Sequence, residues 1–207
     1  MRESVILYNP WSTPSAKKPL PMSLLATASQ LDDVADWEIV DGNLEADPVA
    51  RILSLAESRR PTAIGITVMP GPQLGRAVPD SRRLKAALPD VPIVWGGYFP
   101  SLHADTVLAD PAVDSCVVGQ GEQAFPELVR RLGEGGDLAD VPGLVWKDGG
   151  SPRHNPRGPL LDVGELPDWP YDRVPMERYI HRHYLGERVG THHSSYGCPF
   201  GCSFCAV

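Results

Sequence analysis

Cysteine is scarce in this chain and unevenly placed. Of 207 residues only four are cysteine, and three of them, Cys198, Cys202 and Cys205, crowd together at the end. A disulfide framework spreads paired cysteines through a small secreted domain, so this distribution excludes one and points to a metal. Long apolar runs are also missing: no window approaches the roughly 18 uninterrupted residues of a membrane span. Positive charge is in deficit, with 19 Lys and Arg against 26 Asp and Glu and a formal net charge of −7. That balance argues against nucleic acid or an anionic membrane as partner. The opening Met1-Arg2-Glu3-Ser4 lacks an export-signal pattern and runs straight into strand-like sequence, so a cytoplasmic location is expected. What remains is 42% hydrophobic, enough for an ordinary soluble core. The length suits one α/β domain and a piece of a second.

Five short β-branched or aromatic runs precede residue 120: Val5–Tyr8, Trp37–Val40, Ala63–Val68, Ile93–Trp95 and Cys116–Val118. Between them apolar residues recur at helical spacing. Leu24, Leu25, Ala28 and Leu31 share a face, as do Val49, Ile52, Leu53 and Ala56. Phe125, Leu128, Val129 and Leu132 repeat the pattern, with Gly133 as expected C-cap. A helix is expected around Leu84 and Leu88, with Pro79 limiting how far back it extends. Strands that alternate with helices build a parallel sheet covered on both faces, and these strands are apolar on both sides, as such burial requires. The expected fold is a doubly wound, five-stranded parallel α/β domain of flavodoxin-like order over residues 1–135. In such a sheet, ligands gather at the carboxyl ends of the strands.

After Gly133 the character changes. Gly143–Lys147 followed by Asp148-Gly149-Gly150 reads as a strand entering a hairpin. Residues 151–176, rich in Pro, Asp and Arg, read as an extended linker rather than a packed element. Hairpin and linker together span 136–185. A last strand-like segment, about Thr191 to Tyr196, leads into the cysteines within a final unit at 186–207.

The spacing of Cys198-Pro199-Phe200-Gly201-Cys202-Ser203-Phe204-Cys205 is CxxxCxxC. Three thiolates on one short loop can each hold one iron of a 4Fe-4S cubane. The fourth iron is left to a small molecule with an amine and a carboxylate, the arrangement that reductive cleavage of S-adenosylmethionine (SAM) requires. Gly197 and Gly201 let the backbone wrap the cluster, and Phe204 can shield it. Zinc is the rival reading. It normally takes four ligands, commonly in CxxC pairs, and His192 or His193 could complete such a set.

The loop resembles the radical SAM signature, CxxxCx(aromatic)C. The upstream sequence is similar to the subgroup of that superfamily with an N-terminal cobalamin-binding domain. The stretches that carry the resemblance are Pro19-Leu20-Pro21-Met22-Ser23-Leu24-Leu25, Gly96-Gly97-Tyr98, Gly119-Gln120-Gly121-Glu122 and Leu166-Pro167-Asp168-Trp169-Pro170, in the family's order. Tyr196 departs from the basic residue many relatives place before the Gly-Cys pair.

The resemblance implies a cobalamin site where small residues let the nucleotide tail slide between sheet and helix. Gly96 and Gly97 close the fourth strand, and Gly119 and Gly121 the fifth. Glu122 opens the following helix, whose backbone amides can meet polar oxygens. Thr67 ends the third strand; Asn9 and Ser23 flank the first crossover. Each has a plainer reading: the glycines as turn formers, Thr67 as a turn cap, Glu122 as a first-turn acid favoured by the helix dipole. Cys116 reads as a buried strand residue. The mutase-type cobalt-ligating histidine after the first strand is absent, since that region reads Asn9-Pro10-Trp11-Ser12-Thr13. His103 is expected on a surface helix.

By this resemblance the whole protein is a radical SAM methyltransferase or cyclase. It would use a 4Fe-4S cluster, SAM and cobalamin, an external flavodoxin- or ferredoxin-type electron donor, and a small-molecule substrate. The chain ends shortly after Cys205, so it is expected to be an N-terminal fragment, reaching only the first strand of a β/α barrel and inactive alone. The alternative is a non-catalytic flavodoxin-like module that binds cobalamin or a nucleotide and carries a zinc-binding tail.

Overall fold

The structure, a computed structural model, describes residues 2–193 together with Cys202 and Ser203. Cys198, Cys205 and Tyr196 lie outside the described residues. Five parallel strands alternate with five helices: β1 (Glu3–Asn9), α1 (Met22–Ala28), β2 (Ala35–Asp41), α2 (Pro48–Arg59), β3 (Ala63–Thr67), α3 (Pro72–Ala87), β4 (Ile93–Gly96), α4 (Tyr98–Leu108), β5 (Ser115–Val117) and α5 (Gly121–Glu134). Their spatial order is β2-β1-β3-β4-β5, the flavodoxin-like order expected. Successive side chains on a strand point to opposite faces, and the core divides accordingly. Val5, Leu7, Val94 and Val117 pack under α1 and α5 with Leu24, Phe125 and Leu128. Ile6, Tyr8, Ile64, Ile66 and Trp95 pack under α2, α3 and α4.

The sheet has seven strands rather than five. β6 (Leu144–Asp148) and β7 (Ser151–His154) extend it beyond β5 in antiparallel register. Gly149 and Gly150, both at positive φ, make the tight turn between them. Leu144 and Val145 are buried against β5 and pull the hairpin onto the sheet. Every residue of β7 is exposed.

Two helix boundaries differ from expectation. α3 extends back to Pro72, so Pro79 lies inside it and does not limit it. α5 continues past Gly133 to a left-handed cap at Gly135, φ 66°. At Gly133 the carboxylate of Glu3 approaches so closely that a Cβ would collide with it.

The segment after β7 is also different. It holds three 3-10 turns, Val163–Glu165, Tyr171–Arg173 and Met176–Arg178, then a hairpin of β8 (His181–His183) and β9 (Gly186–Val189). Trp169, Tyr171, Val174, Met176 and the buried Tyr179 pack with Leu20, Met22 and Leu25 in a third apolar cluster. This stretch therefore forms a strap along the β2 edge of the sheet and not a free linker. Arg173 lies 3.5 Å over the Trp37 ring and donates to Trp37 O at 3.1 Å. Arg178 donates to Leu44 O at 2.9 Å. Thr191–His193 have no regular structure, and the rest of the strand expected there lies outside the described residues. No helix among the described residues is long and apolar enough to cross a membrane.

Candidate functional site

Strand register assembles the site. Leu7 stands opposite Gly65, Gly65 opposite Val94, and Thr67 opposite Gly96. Alternation puts these residues on the face that α1 and α5 cover. At the carboxyl ends of the strands, lined by residues of both helices, lies a cavity of about 180 Å³. Its floor is Leu7, Gly65, Val94 and Val117, and Phe125 closes one side.

The structure brings Ser23, Thr67, Gly96, Gly97, Gly119, Gly121 and Glu122 together around this one cavity. Asn9 is not among them. Its register partner is Asp41, and its amide is committed there: Nδ2 donates to Asp41 Oδ1 at 2.8 Å, while Oδ1 accepts from Gln73 Nε2 at 2.6 Å. Asn9 thus ties the ends of β1 and β2 to the start of α3.

Two of the glycines serve different needs. Gly97 has φ 92° and ψ −162°, a conformation essentially closed to residues with a side chain. A Cβ there would also lie 3.0 Å from Thr67 Oγ1 and 3.2 Å from Val68 N. Gly96 keeps the crevice open instead, since a Cβ on it would meet only Val117 Cβ, at 4.0 Å.

Hydroxyls line the rim. Ser23 Oγ and Thr67 Oγ1 are 3.1 Å apart, and Thr27 Oγ1 donates to Ser23 O at 3.0 Å. Glu122, in the first turn of α5, is 5% exposed. Burial raises its carboxyl pKa, opposed by a backbone hydrogen bond. Gln120 Oε1 accepts from Leu161 N at 2.9 Å, which fastens the later segment beside the crevice.

Sequence reasoning did not single out Thr27, Gly65, Gln120 or Ser101. Gly65 carried a signal, because a glycine inside a buried strand marks a close approach. Here a Cβ would fall 2.8 Å from Phe125 Cζ. Ser101 lies just behind the cavity and joins two of its loops, a role that only the folded chain reveals.

The histidines stand elsewhere. His103 occupies a break in α4, with φ −135° and ψ 36°, and stacks on Phe99 at 4.9 Å. It is exposed and lines a separate, more polar cavity of about 360 Å³ with His154 and Arg157. Among the described residues no histidine lines the crevice. His193 meets Trp169 edge-on at 5.5 Å. Cys116 is fully buried in β5, where desolvation pushes its thiol up to about 12; Cys202 is exposed.

A doubly wound sheet with an apolar crevice and a hydroxyl-bearing rim at its strand ends defines a domain for binding a small organic ligand. Comparison with known proteins narrows this. The B12 binding domain profile matches residues 15–129. An uncharacterized methyltransferase of Pyrococcus horikoshii is 31% identical over 188 residues, 90% of this chain and 40% of that protein. The anaerobic magnesium-protoporphyrin IX monomethyl ester cyclase of Rubrivivax gelatinosus is 29% identical over 181 residues, 84% of this chain and 31% of that protein. Among solved structures, the radical SAM methyltransferase TsrM of Kitasatospora setae, with cobalamin and a [4Fe-4S] cluster bound, aligns with a TM-score of 0.63 at 25% identity. That alignment covers 75% of this chain and 31% of TsrM. The chain spans less than half the length of these curated relatives. It belongs to the B12-binding domain family, in the form that accompanies radical SAM proteins.

The crevice fits that group. Cavities that engulf a drug-sized ligand measure roughly 300–1,000 Å³, and this one is smaller. It could hold only part of a molecule as large as cobalamin. The space above Gly96 and Gly119, where a Cβ would meet almost nothing, admits such a part.

Proposed function

We propose that this chain is the cobalamin-binding and cluster-bearing part of a radical SAM enzyme that methylates or cyclises a small organic substrate. The observation that carries the reading is the conjunction in one chain of the glycine-rimmed crevice of a B12-binding domain with a CxxxCxxC loop. Leu7, Val94, Val117 and Phe125 would exclude water from the part of cobalamin held in the crevice, and the hydroxyls of Ser23, Thr27 and Thr67 would offer it hydrogen bonds. Gly96, Gly97, Gly119 and Gly121 keep the entry free of side chains, while Glu122 presents a carboxyl whose burial favours its protonated form. Cys198, Cys202 and Cys205 would hold a 4Fe-4S cluster by their thiolates. When bound, the cluster supplies the electron for reductive cleavage of SAM, and cobalamin supplies methyl-transfer or radical chemistry at the substrate. An external flavodoxin- or ferredoxin-type protein would provide the electron.

The test has separable parts. Anaerobically prepared protein should carry iron and sulfide, lose them when the three cysteines become alanine, and bind hydroxocobalamin with a change in its visible spectrum. The whole protein, reduced in the presence of SAM, should release 5′-deoxyadenosine. Stoichiometric zinc in place of iron would overturn the radical SAM reading and leave a cobalamin-binding module.

A further inference from the structure

Helix α1 is the weak wall of the crevice. It has only seven residues and no side-chain N-cap, and neither terminus carries a charge that complements the helix dipole. A helix this short is not stable from its own hydrogen bonds, so tertiary contacts must hold it. Yet it supplies Ser23, Leu24 and Thr27 to the cavity. Its buried residues divide between two supports. Leu24 and Ala28 belong to the core beneath α5. Leu25, fully buried, belongs instead to the cluster built with Tyr179 and the strap residues Trp169, Tyr171, Val174 and Met176.

Tyr179 is the anchor of that second support. It is 4% exposed, and its hydroxyl donates to Asp41 Oδ2 at 2.8 Å. The other oxygen of Asp41 accepts from Asn9 Nδ2 at 2.8 Å and from Asn43 N at 2.9 Å, so the anchor point is itself held firmly. At the end of the strap, His181 Nε2 accepts from Lys18 N at 2.9 Å, which grips the loop that leads into α1. The approach to α1 and its Leu25 face are therefore both held by the chain that goes on to the cysteine loop.

We infer that Tyr179 and the strap at 169–181 are positioning elements of the cobalamin crevice, which couple its α1 wall to the segment leading to the cluster-binding cysteines. The inference rests on the cobalamin reading for its ligand but not for the coupling itself. Coupling between sites is reciprocal. The strap stiffens α1 and the crevice; ligand in the crevice in turn protects the strap.

Amide hydrogen exchange on the purified protein tests this, with and without hydroxocobalamin. In the ligand-free protein, Tyr179→Ala should speed exchange in α1 while α3, across the sheet, stays at the wild-type rate. Tyr179→Phe keeps the ring and loses only the bond to Asp41, so it should give a smaller change in the same place. It also decides the matter if the alanine variant fails to fold. Hydroxocobalamin should slow exchange at 169–181 in the wild type and bind Tyr179→Ala about tenfold more weakly, within the ~5–150-fold span of typical couplings. Unchanged α1 exchange in Tyr179→Phe and in any folded Tyr179→Ala would overturn the inference, as would binding that leaves the strap's exchange unaltered. If the wild type binds no hydroxocobalamin, the cobalamin reading fails, and α1 exchange in the ligand-free variants still decides the coupling.

Discussion

Ser101 Oγ accepts the backbone amide of Gly119 at 3.1 Å and donates to Gly97 O at 2.7 Å. One hydroxyl thus pins the loops after β4 and β5 to each other behind the crevice. Ser101→Ala should cost about 1 kcal/mol, since one of its two hydrogen bonds is part-buried and the other exposed. Urea unfolding would show the loss, and a hydroxocobalamin titration should show several-fold weaker binding. A variant as stable and as tight as the wild type would remove this role.

Two glycines at positive φ should respond unequally to alanine. Gly97→Ala adds backbone strain of about 1–3 kcal/mol to close contacts with Thr67 Oγ1 and Val68 N. Gly119, at φ 95°, has nothing within 4 Å of where a Cβ would stand, so Gly119→Ala carries the strain alone. The unfolding midpoint should therefore fall further for Gly97→Ala, and reversal of that order would contradict the geometry.

Burial raises the carboxyl pKa of Glu122, so the folded protein holds this proton more tightly than the unfolded chain does. Its contribution to stability is complete below the ordinary carboxylate pKa and is lost as pH climbs through the raised one. Glu122→Gln should accordingly be more stable than the wild type at about pH 8 and nearly equal to it at about pH 4. The comparison needs only denaturant midpoints at the two pH values.

The thiols should separate by reactivity. Only the thiolate is nucleophilic, and Cys116, buried and held at about 12, has almost none at neutral pH. In the folded, cluster-free protein iodoacetamide should label the exposed Cys202 and reach Cys116 only after denaturation. Peptide mass mapping gives the answer directly.

Pro79 offers a test of α3. Proline inside a helix removes one hydrogen bond and crowds the carbonyl four residues back. Here that carbonyl belongs to Gly75, and both Gly75 and Pro79 are exposed, so the interruption falls on the solvent side of the helix. Pro79→Ala should restore the bond and raise stability by about 2 kcal/mol, the helix-interior cost of proline less its restriction of the unfolded chain. A loss of stability would show that the proline serves another purpose.

This same proline marks a limit of legibility. A proline reads as a helix break, and only the solvent exposure of Gly75 and Pro79 together explains why the helix survives. The five parallel strands and their order were legible because each strand is a short apolar run separated by helical spacing. The glycines after β4 and β5 were legible as a group because strand ends are where such a sheet binds ligands. Asn9 misled because its type suits a ligand contact, whereas register sets it opposite Asp41. The hairpin of β6 and β7 could be read from Asp148-Gly149-Gly150, but its docking beside β5 could not. Trp169 and Tyr171 in the supposed linker, with Tyr179 just after it, were the overlooked clue, since a Pro-rich stretch with large aromatics has apolar surface to bury.

The two borders of the sheet are guarded by different means. Pro152 and Arg153 blunt β7, where proline and charge discourage strand addition, while β2 relies on the strap. Anyone isolating this domain should therefore cut well beyond Tyr179. A shorter piece ending after α5 or β7 would bare the β2 backbone and the Trp37 ring together, and would be prone to self-association through that side.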